Sequence, residues 1–324
     1  MYLSYDLNAC KRYAKVARRF AHSVLKSNFG YAHSPVFSNT IYKQPSIKKY
    51  TINKKPITLQ QFKGFLNTPP LWEGEQFGVP QFQFPEVVID SFVPSPIPEN
   101  LRLGHQMEYV CKQFLDQSDA YDVLVHNLPI RNGKQTIGEI DFILKETATR
   151  QLIHVELTYK FYLIDNDIEN PIHQLVGPNR SDAFYKKLQK IKNNQFSLVH
   201  TGIGRSILLE KEIETTNIKQ QVCFKAQLFK PYKADSLPLD PFNANCIVGY
   251  WLRLKDFKET KFSSFQFYIP TKSEWVVEPN TSIAWSSHTE IILEIHERLE
   301  HKSSPMVWVQ KNKTTYVKIF VVWW

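Results

Sequence analysis

The sequence predicts a mixed α/β domain, because strand-like and helix-like patterns alternate along most of the chain. Two neighbouring segments, 136–144 and 151–163, alternate apolar and polar residues with a period of two, which is typical of β-strands. The six residues between them include charged and threonine residues suited to a turn, so the segments are expected to pair as a β-hairpin. Apolar residues at helical spacing, such as Met107, Val110 and Phe114, predict a helix ahead of the hairpin.

The other predicted elements follow in order along the chain. The first helix is expected at about 103–117, and a strand at 121–128 leads into the hairpin. Ser181 or Asp182 caps a second predicted helix at 182–194. Further elements are predicted as strands at 222–229, 247–254, 265–269 and 316–324, with a helix at 289–300.

Composition divides the chain into three parts: 1–64, 65–232 and 233–324. Residues 28–64 are rich in Ser, Asn, Lys and Pro with little periodicity, which predicts a linker. Residues 65–103 carry seven prolines interleaved with aromatic residues, and we expect this stretch to lie extended on a core because its aromatic side chains need burial. The middle part is the predicted core, and the last part is a predicted α+β extension packed on it.

The basic residues gather at the N-terminus. The net charge is +9, but residues 1–64 hold twelve Lys or Arg and one acid, Asp6, which leaves 28 basic and 30 acidic residues in the rest of the chain. The acid-free amphipathic pattern of 11–26 is typical of an organelle transit peptide, so a mitochondrial location is predicted, with a cytoplasmic or nuclear one as the alternative. An ordinary surface helix and a basic arm that contacts nucleic-acid phosphates stay open for this segment.

Composition also disfavours several classes of protein. No apolar run is long enough to cross a membrane, and no secretory signal pattern is present. The four cysteines form no CxxC pair and no zinc-ligand spacing, which indicates a reduced compartment with the thiols packed as small apolar groups. The oligomeric state is left open by these patterns.

The predicted hairpin gathers acidic groups and a lysine. Asp141 lies on the first hairpin strand, and His154, Glu156 and Lys160 share the polar face of the second. If the two faces coincide, the carboxylates can hold Mg²⁺ or Mn²⁺, and Lys160 can orient a water or stabilise a pentavalent phosphate. Glu108, on the first helix, could reach the metal from outside the sheet. The alternative is an amphipathic hairpin whose solvated face carries ordinary charges.

Four motifs stand out in the predicted core: LGHQME at 103–108, GEID at 138–141, HVELTYKFYL at 154–163 and GPNRSD at 177–182. Their order along the chain resembles the PD-(D/E)XK nuclease superfamily and, more closely, an uncharacterised, largely bacterial domain family within it. The resemblance covers roughly residues 65–324. It implies an α/β fold with a restriction-endonuclease-like core, αβββαβ around a mixed sheet, together with a nucleic-acid substrate and Mg²⁺ or Mn²⁺ as the cofactor.

The resemblance also implies roles for single residues. Asp141 and Glu156 would be metal ligands, Glu108 the helix-borne acid that supports the same or a second cation, and Lys160 the catalytic cation. Lys187 and Gln195, on the second helix, look like further polar positions of the site. Each of these residues is a candidate for contact with substrate or metal.

His154 shares the face of Glu156 and has two interpretations. It is either a proton carrier or metal ligand, or a strand histidine that is held by hydrogen bonds. Packing statistics favour the second interpretation.

One position departs from the superfamily pattern. The lysine usually stands two residues after the acid, where this chain has Thr158. Lys160 stands four residues after Glu156, ~13 Å along an ideal strand at ~3.3 Å per residue. It still lies on the same face, and its long side chain or a bulge could return the ammonium to the metal.

The expected function is metal-dependent hydrolysis of phosphodiester bonds in DNA or RNA. One alternative is a catalytically inactive module of the same fold that binds nucleic acid or a protein partner. Another is a mitochondrial assembly or maintenance factor whose acidic face is only structural. The sequence leaves the choice between DNA and RNA, between endo and exo action, and the cleavage polarity open.

Overall fold

A mixed sheet of nine strands organises the protein. The computed structural model describes residues 58–234, 238–280 and 283–324. The predicted transit-peptide helix at 11–26 lies outside the described residues, so the mitochondrial location inferred from it stays a prediction. Within the described ranges, no helix is both long enough and apolar enough to cross a membrane.

Two helices precede the sheet. Helix α1 (Leu59–Asn67) begins inside the predicted linker, and its Phe65 is fully buried in the core, so packed structure starts earlier than composition suggests. The Pro-rich chain after it forms a small antiparallel pair, β1 (Glu75–Gln76) and β2 (Val79–Pro80). Helix α2 (Leu103–Asp116) follows where the sequence predicts it.

Three antiparallel strands then form a meander: β3 (Tyr121–Asn132), β4 (Gln135–Glu146) and β5 (Leu152–Ile164). The predicted hairpin is therefore confirmed as β4 and β5. Strand β3 runs four residues beyond its predicted end, because its distal half continues to pair with β4 up to Asn132.

The chain next crosses over the sheet through short elements: α3 (Pro171–Gln174), β6 (Leu175–Val176), α4 (Phe184–Lys190) and α5 (Gly202–Leu209). The predicted second helix is only partly α-helical. After Lys190 it widens into a π-helical turn at Ile191–Gln195 and then tightens into a 3₁₀ turn at Phe196–His200.

The remaining elements are β7 (Lys219–Pro231), β8 (Ile247–Arg253), α6 (Leu254–Phe257), β9 (Gln266–Tyr268), α7 (His288–Glu300), β10 (Met306–Gln310) and β11 (Tyr316–Val322). The strand order is β3-β4-β5-β7-β8-β11-β10-β9, with β6 paired to β5. The four central strands β5, β7, β8 and β11 are parallel. Residues 233–324 therefore continue the same sheet, and the mixed α/β class is confirmed.

The sheet has two covered faces. Helices α1 and α2 pack on one face, which we call the α2 face, against alternate residues of β5 such as Leu157 and Tyr159. Helix α4 packs on the opposite face, the α4 face, with Tyr162 and Ile164 of β5. Because strand residues alternate, His154, Glu156 and Thr158 also belong to the α4 face.

Candidate functional site

The candidate site lies where strands β4 and β5 separate. Their ladder runs from Lys145 paired with Leu152 to Phe142 paired with Val155 and ends there. Beyond this point β4 stays with β3, and β5 stays with β7. Asp141 and Glu156 are thus the first residues past the last pair, one on each side of the split.

The split places the carboxylate of Asp141 against the backbone of β5. The amide of Leu157 donates to Asp141 Oδ2 at 2.9 Å, a bond that replaces a ladder bond to β4. Asp141 is 8% exposed and Glu156 is fully buried. The charge of Glu156 raises the pKa of Asp141, so the two carboxyl groups lie close together in the split.

Further hydrogen bonds hold Glu156 on both oxygens. His154 Nε2 lies 2.8 Å from Glu156 Oε1. Gln195, which the π-helical turn carries, donates from its amide nitrogen to Glu156 Oε2. The carboxylate of Glu156 is therefore fixed from the strand and from the helix at once.

The two carboxyl groups resist ionisation. Burial raises the pKa of Asp141 well above its ordinary value, and the charges of Glu156 and Glu108 raise it further. Burial raises the pKa of Glu156 to about 7, against the opposing charge of Lys187. Two like charges in contact in a buried split are costly unless a proton or another cation lies between them.

A third acid stands at the margin of the split. Glu108 of α2 is 9% exposed and accepts a hydrogen bond from Asn127 Nδ2 at 3.0 Å. His105 Nδ1 lies 2.9 Å from the same oxygen, and this bond raises the pKa of His105. Glu108 is thus engaged with α2 and β3, although its charge is felt by Asp141.

The donor set suits a hard divalent ion with few protein ligands. The part of the chain that the structure describes holds no group of three or more His, Cys, Asp or Glu side chains that could ligate a metal as they stand. Asp141 and Glu156 alone form the paired donors. Mg²⁺ keeps several waters and is commonly bound through one or two carboxylates plus substrate phosphates, so this pair fits Mg²⁺ and its substitute Mn²⁺.

Lys187 of α4 is a cation whose charge acts on both acids. Its side chain is half-buried, and its Nζ donates to Gln195 Oε1 at 3.0 Å. Burial lowers the pKa of Lys187, while the charges of Asp141 and Glu156 raise it. Lys187 was predicted as a further polar position of the site, and the structure places it close to both acids.

Lys160 occupies a different place. Its Nζ forms an ion pair with Asp182 Oδ2 at 2.6 Å, and the side chains are 33% and 39% exposed. Its charge is felt by Lys187, so it lies at the edge of the same cluster. The structure therefore brings Asp141, Glu156, Lys187 and Gln195 together. Lys160 instead pairs with Asp182, which lies in the loop that follows β6.

His154 is a buried strand histidine with two hydrogen-bond partners. Burial lowers its pKa to about 3, so the ring is neutral, and its Nε2 lies 2.8 Å from Glu156 Oε1. Gln220 Nε2 lies 3.5 Å from the other ring nitrogen, Nδ1. These contacts fit the interpretation that the sequence favoured, and they make His154 a support for Glu156.

Winding explains why Gln195 reaches the site. In a uniform α-helix, at 100° per residue, position 195 would point about 80° away from position 187. The π-helical turn Ile191–Gln195 is wider and brings the two side chains into contact. Asn127, which the sequence did not reveal, bonds Glu108 from β3; its φ of +51° lies in the left-handed region, which asparagine tolerates.

Comparison with known proteins places the chain in a family. No curated protein and no solved structure matches it. A family model described as a domain of unknown function, DUF1853, matches residues 91–322, which span α2 and the whole nine-stranded sheet. The chain therefore belongs to the DUF1853 family.

Proposed function

We propose that this protein is a metal-dependent nuclease that hydrolyses phosphodiester bonds of DNA or RNA with Mg²⁺ or Mn²⁺ held by Asp141 and Glu156. The observation that carries the proposal is the burial of these two carboxyl groups side by side at the split between β4 and β5. A fold gains no stability from burying two acids side by side. A site that binds a cation has a reason to keep them.

The order of elements supports the same proposal. Helix α2, the meander β3-β4-β5, helix α4 and the parallel strand β7 follow one another as αβββαβ. This is the arrangement expected of a restriction-endonuclease-like core, in which the acids stand on the second and third strands. Asp141 and Glu156 occupy those strands.

Each residue of the site has a defined task in the proposed reaction. A bound divalent ion lowers the pKa of a water and screens charge on the phosphate. The Leu157 amide orients Asp141, and His154 and Gln195 orient Glu156. The ammonium of Lys187 stands beside the acids, where it can stabilise negative charge that develops on the phosphate.

In this proposal Lys187 takes the role that the resemblance gives to Lys160. The Nζ of Lys160 is engaged by Asp182, whereas the partner of Lys187 is the neutral Gln195. Lys160 lies nearer to solvent and is better placed to meet a flanking phosphate.

A catalytically inactive module that binds nucleic acid is the second candidate. The observation that favours it is the ion pair of Lys160 with Asp182, since it removes the expected lysine from the acids. Such a module would bind nucleic acid without a requirement for a divalent ion.

Hydrolysis assays separate the two candidates. Purified full-length protein is incubated with single-stranded DNA, duplex DNA and RNA in Mg²⁺, in Mn²⁺ and in EDTA. We expect cleavage that needs the metal and that disappears in Asp141→Asn with Glu156→Gln. The matched control changes two exposed acids, Glu99→Gln with Asp116→Asn, and should cleave like the wild type. Equal cleavage by both double variants would refute the assignment of Asp141 and Glu156, absence of cleavage by the wild type would refute the nuclease, and binding that EDTA leaves unchanged would favour the module.

A further inference from the structure

Thr158 is a buried polar residue beside the acids that has no evident structural task. It is 3% exposed, and its Oγ1 has no hydrogen-bond partner among the described residues. A buried hydroxyl without a partner lowers stability, and native proteins rarely keep one without another reason. Thr158 therefore calls for a partner that is not part of the fold.

The surroundings of Thr158 restrict what that partner can be. Thr158 lies two residues after Glu156 on the α4 face, roughly 7 Å along β5. On one side it pairs with Phe224 of β7. On the other side, among the described strands, β5 pairs with β4 only as far as Val155 and with β6 only from Leu163, so Thr158 borders the split.

The neighbouring polar groups leave the hydroxyl of Thr158 without an acceptor. Both oxygens of Glu156 are engaged by His154 and Gln195. Lys187 carries only donors, and its hydrogen bond goes to Gln195. A ligand that accepts from the hydroxyl of Thr158 and from the ammonium of Lys187, next to a cation on the acids, has the chemistry of a phosphate oxygen.

We propose that Thr158 Oγ1 donates a hydrogen bond to a non-bridging oxygen of the scissile phosphate, together with Lys187. The inference rests on the proposed nuclease function and adds the residue that stands where the superfamily pattern has lysine. The hydroxyl is buried in the structure, so this role requires neighbouring side chains to move when the phosphate binds. Catalytic hydrogen bonds commonly tighten in this way only when substrate binds.

Two substitutions in the full-length protein test this role. Thr158→Val removes the hydroxyl and keeps the shape, and Thr158→Ser keeps the hydroxyl. We expect Thr158→Val to melt no lower than the wild type, to bind Mn²⁺ normally and to lose roughly 10–10²-fold in kcat/KM. Its affinity for a 5′-mononucleotide in Mg²⁺ should fall as well, and Thr158→Ser should restore both properties.

A matched control shows what a structural threonine does. Thr68→Val removes a hydroxyl that donates to Gly64 O at 2.7 Å and contacts Tyr159 Oη at 2.6 Å. This variant should melt lower and keep its mononucleotide affinity. The inference is overturned if Thr158→Val melts lower in the same way, or if it binds the mononucleotide as tightly as the wild type.

The outcome separates this inference from the proposed function. If the wild type cleaves no nucleic acid, the nuclease proposal fails. The melting temperature and the mononucleotide affinity of the variants still test whether Thr158 binds a phosphate. If the wild type binds no mononucleotide in Mg²⁺, the role of Thr158 is overturned directly.

Discussion

The two faces of one sheet bury polar groups in opposite ways. On the α4 face, the carboxyl groups of Asp141 and Glu156 lie close together, and the hydroxyl of Thr158 has no hydrogen-bond partner among the described residues. On the α2 face lies a second polar cluster, which we call the lysine network; it consists of Thr68, Tyr159, Lys225, Gln227 and Lys318. All five of these residues are buried, as the acids are, but their hydrogen bonds are made within the protein.

The bonds of the lysine network form a directed chain. Gln227 Nε2 donates to Tyr159 Oη at 3.0 Å, the Tyr159 hydroxyl donates to Thr68 Oγ1, and Thr68 donates to Gly64 O. Lys318 Nζ donates to Gln227 Oε1 at 3.2 Å. The network thereby ties helix α1 to strands β5, β7 and β11.

The two lysines of the network also have acceptors. Lys225 Nζ donates to Thr68 O at 2.6 Å, and Lys318 Nζ meets Glu278 Oε1 at 2.7 Å. Burial lowers the pKa of both lysines. The comparison teaches that burial alone does not mark a site: the buried groups of the lysine network are satisfied within the protein, whereas Asp141 and Glu156 are buried with like charges close together.

The largest expected effect is on the acids. Asp141→Asn should reduce hydrolysis by roughly 10³-fold, about 4 kcal/mol of barrier, because the metal loses a charged ligand. The same variant should raise the melting temperature of the metal-free protein, since it removes one of two like charges that lie close together. Cleavage assays and thermal melts in EDTA measure both. A variant that melts lower than the wild type would show that the acids are structural.

The pH dependence of stability is the next largest effect. Glu156 has a pKa of about 7 in the folded protein against 4.5 ordinarily. A raised pKa means that the folded state binds the extra proton, so its stabilising contribution is complete below pH 4.5 and is lost as the pH rises through 7. The full loss corresponds to about 3 kcal/mol. Denaturant unfolding in EDTA from pH 4 to 8 follows it.

Glu156→Gln serves as the reference for that profile. His154, with a pKa of about 3, acts in the opposite direction, because its contribution is lost as the pH falls below 6.5. The difference between the wild type and Glu156→Gln isolates the glutamate. Equal profiles for the two proteins would contradict the proposed state of the acid pair.

A pair of lysine substitutions sharpens the assignment within the site. Lys187→Met should cost roughly 10²-fold in kcat, because it removes the cation that faces the acids. Lys160→Met should cost less and mainly weaken substrate binding, since Lys160 is paired with Asp182 near the surface. Single-turnover and steady-state kinetics separate the two effects. A larger loss of kcat in Lys160→Met would return the catalytic role to Lys160.

Local patterns predicted much of this arrangement. The period-two alternation of β4 and β5 and the apolar spacing of α2 are properties of consecutive residues, so the hairpin, the first helix and the faces of Asp141 and Glu156 follow from sequence. The acid-and-strand motif also placed Asp141 and Glu156 on adjacent strands, as the structure has them.

Contacts between distant segments were beyond those patterns. The alternation of β5 predicts which face of the sheet carries Lys160. It does not predict the ion pair of Lys160 with Asp182, because that pair depends on how the loop after β6 folds back. The approach of Gln195 to Lys187 depends on a change from α to π winding, which no residue in 191–195 signals. The lysine network was missed because its members come from four separate elements and pair only in the folded sheet.

The smallest expected effect concerns the lysine network. Tyr159→Phe should destabilise the protein by about 1–3 kcal/mol, because Gln227 Nε2 loses its acceptor and Thr68 Oγ1 loses its donor in a buried place. Hydrolysis should stay at the wild-type level, since Tyr159 faces α2 and not the acids. Denaturant unfolding and cleavage assays measure the two properties.

A tyrosine near the surface provides the control for that substitution. Tyr121→Phe removes a hydroxyl whose bond to Gln83 O is long, 3.5 Å, and exposed, so its stability should match the wild type. Asp141→Asn and Tyr159→Phe should then move in opposite directions: the first gains stability and loses activity, and the second loses stability and keeps activity. If both variants lost stability and activity together, the two faces would form one coupled unit, because removing a satisfied group on one side would then disturb the acids on the other.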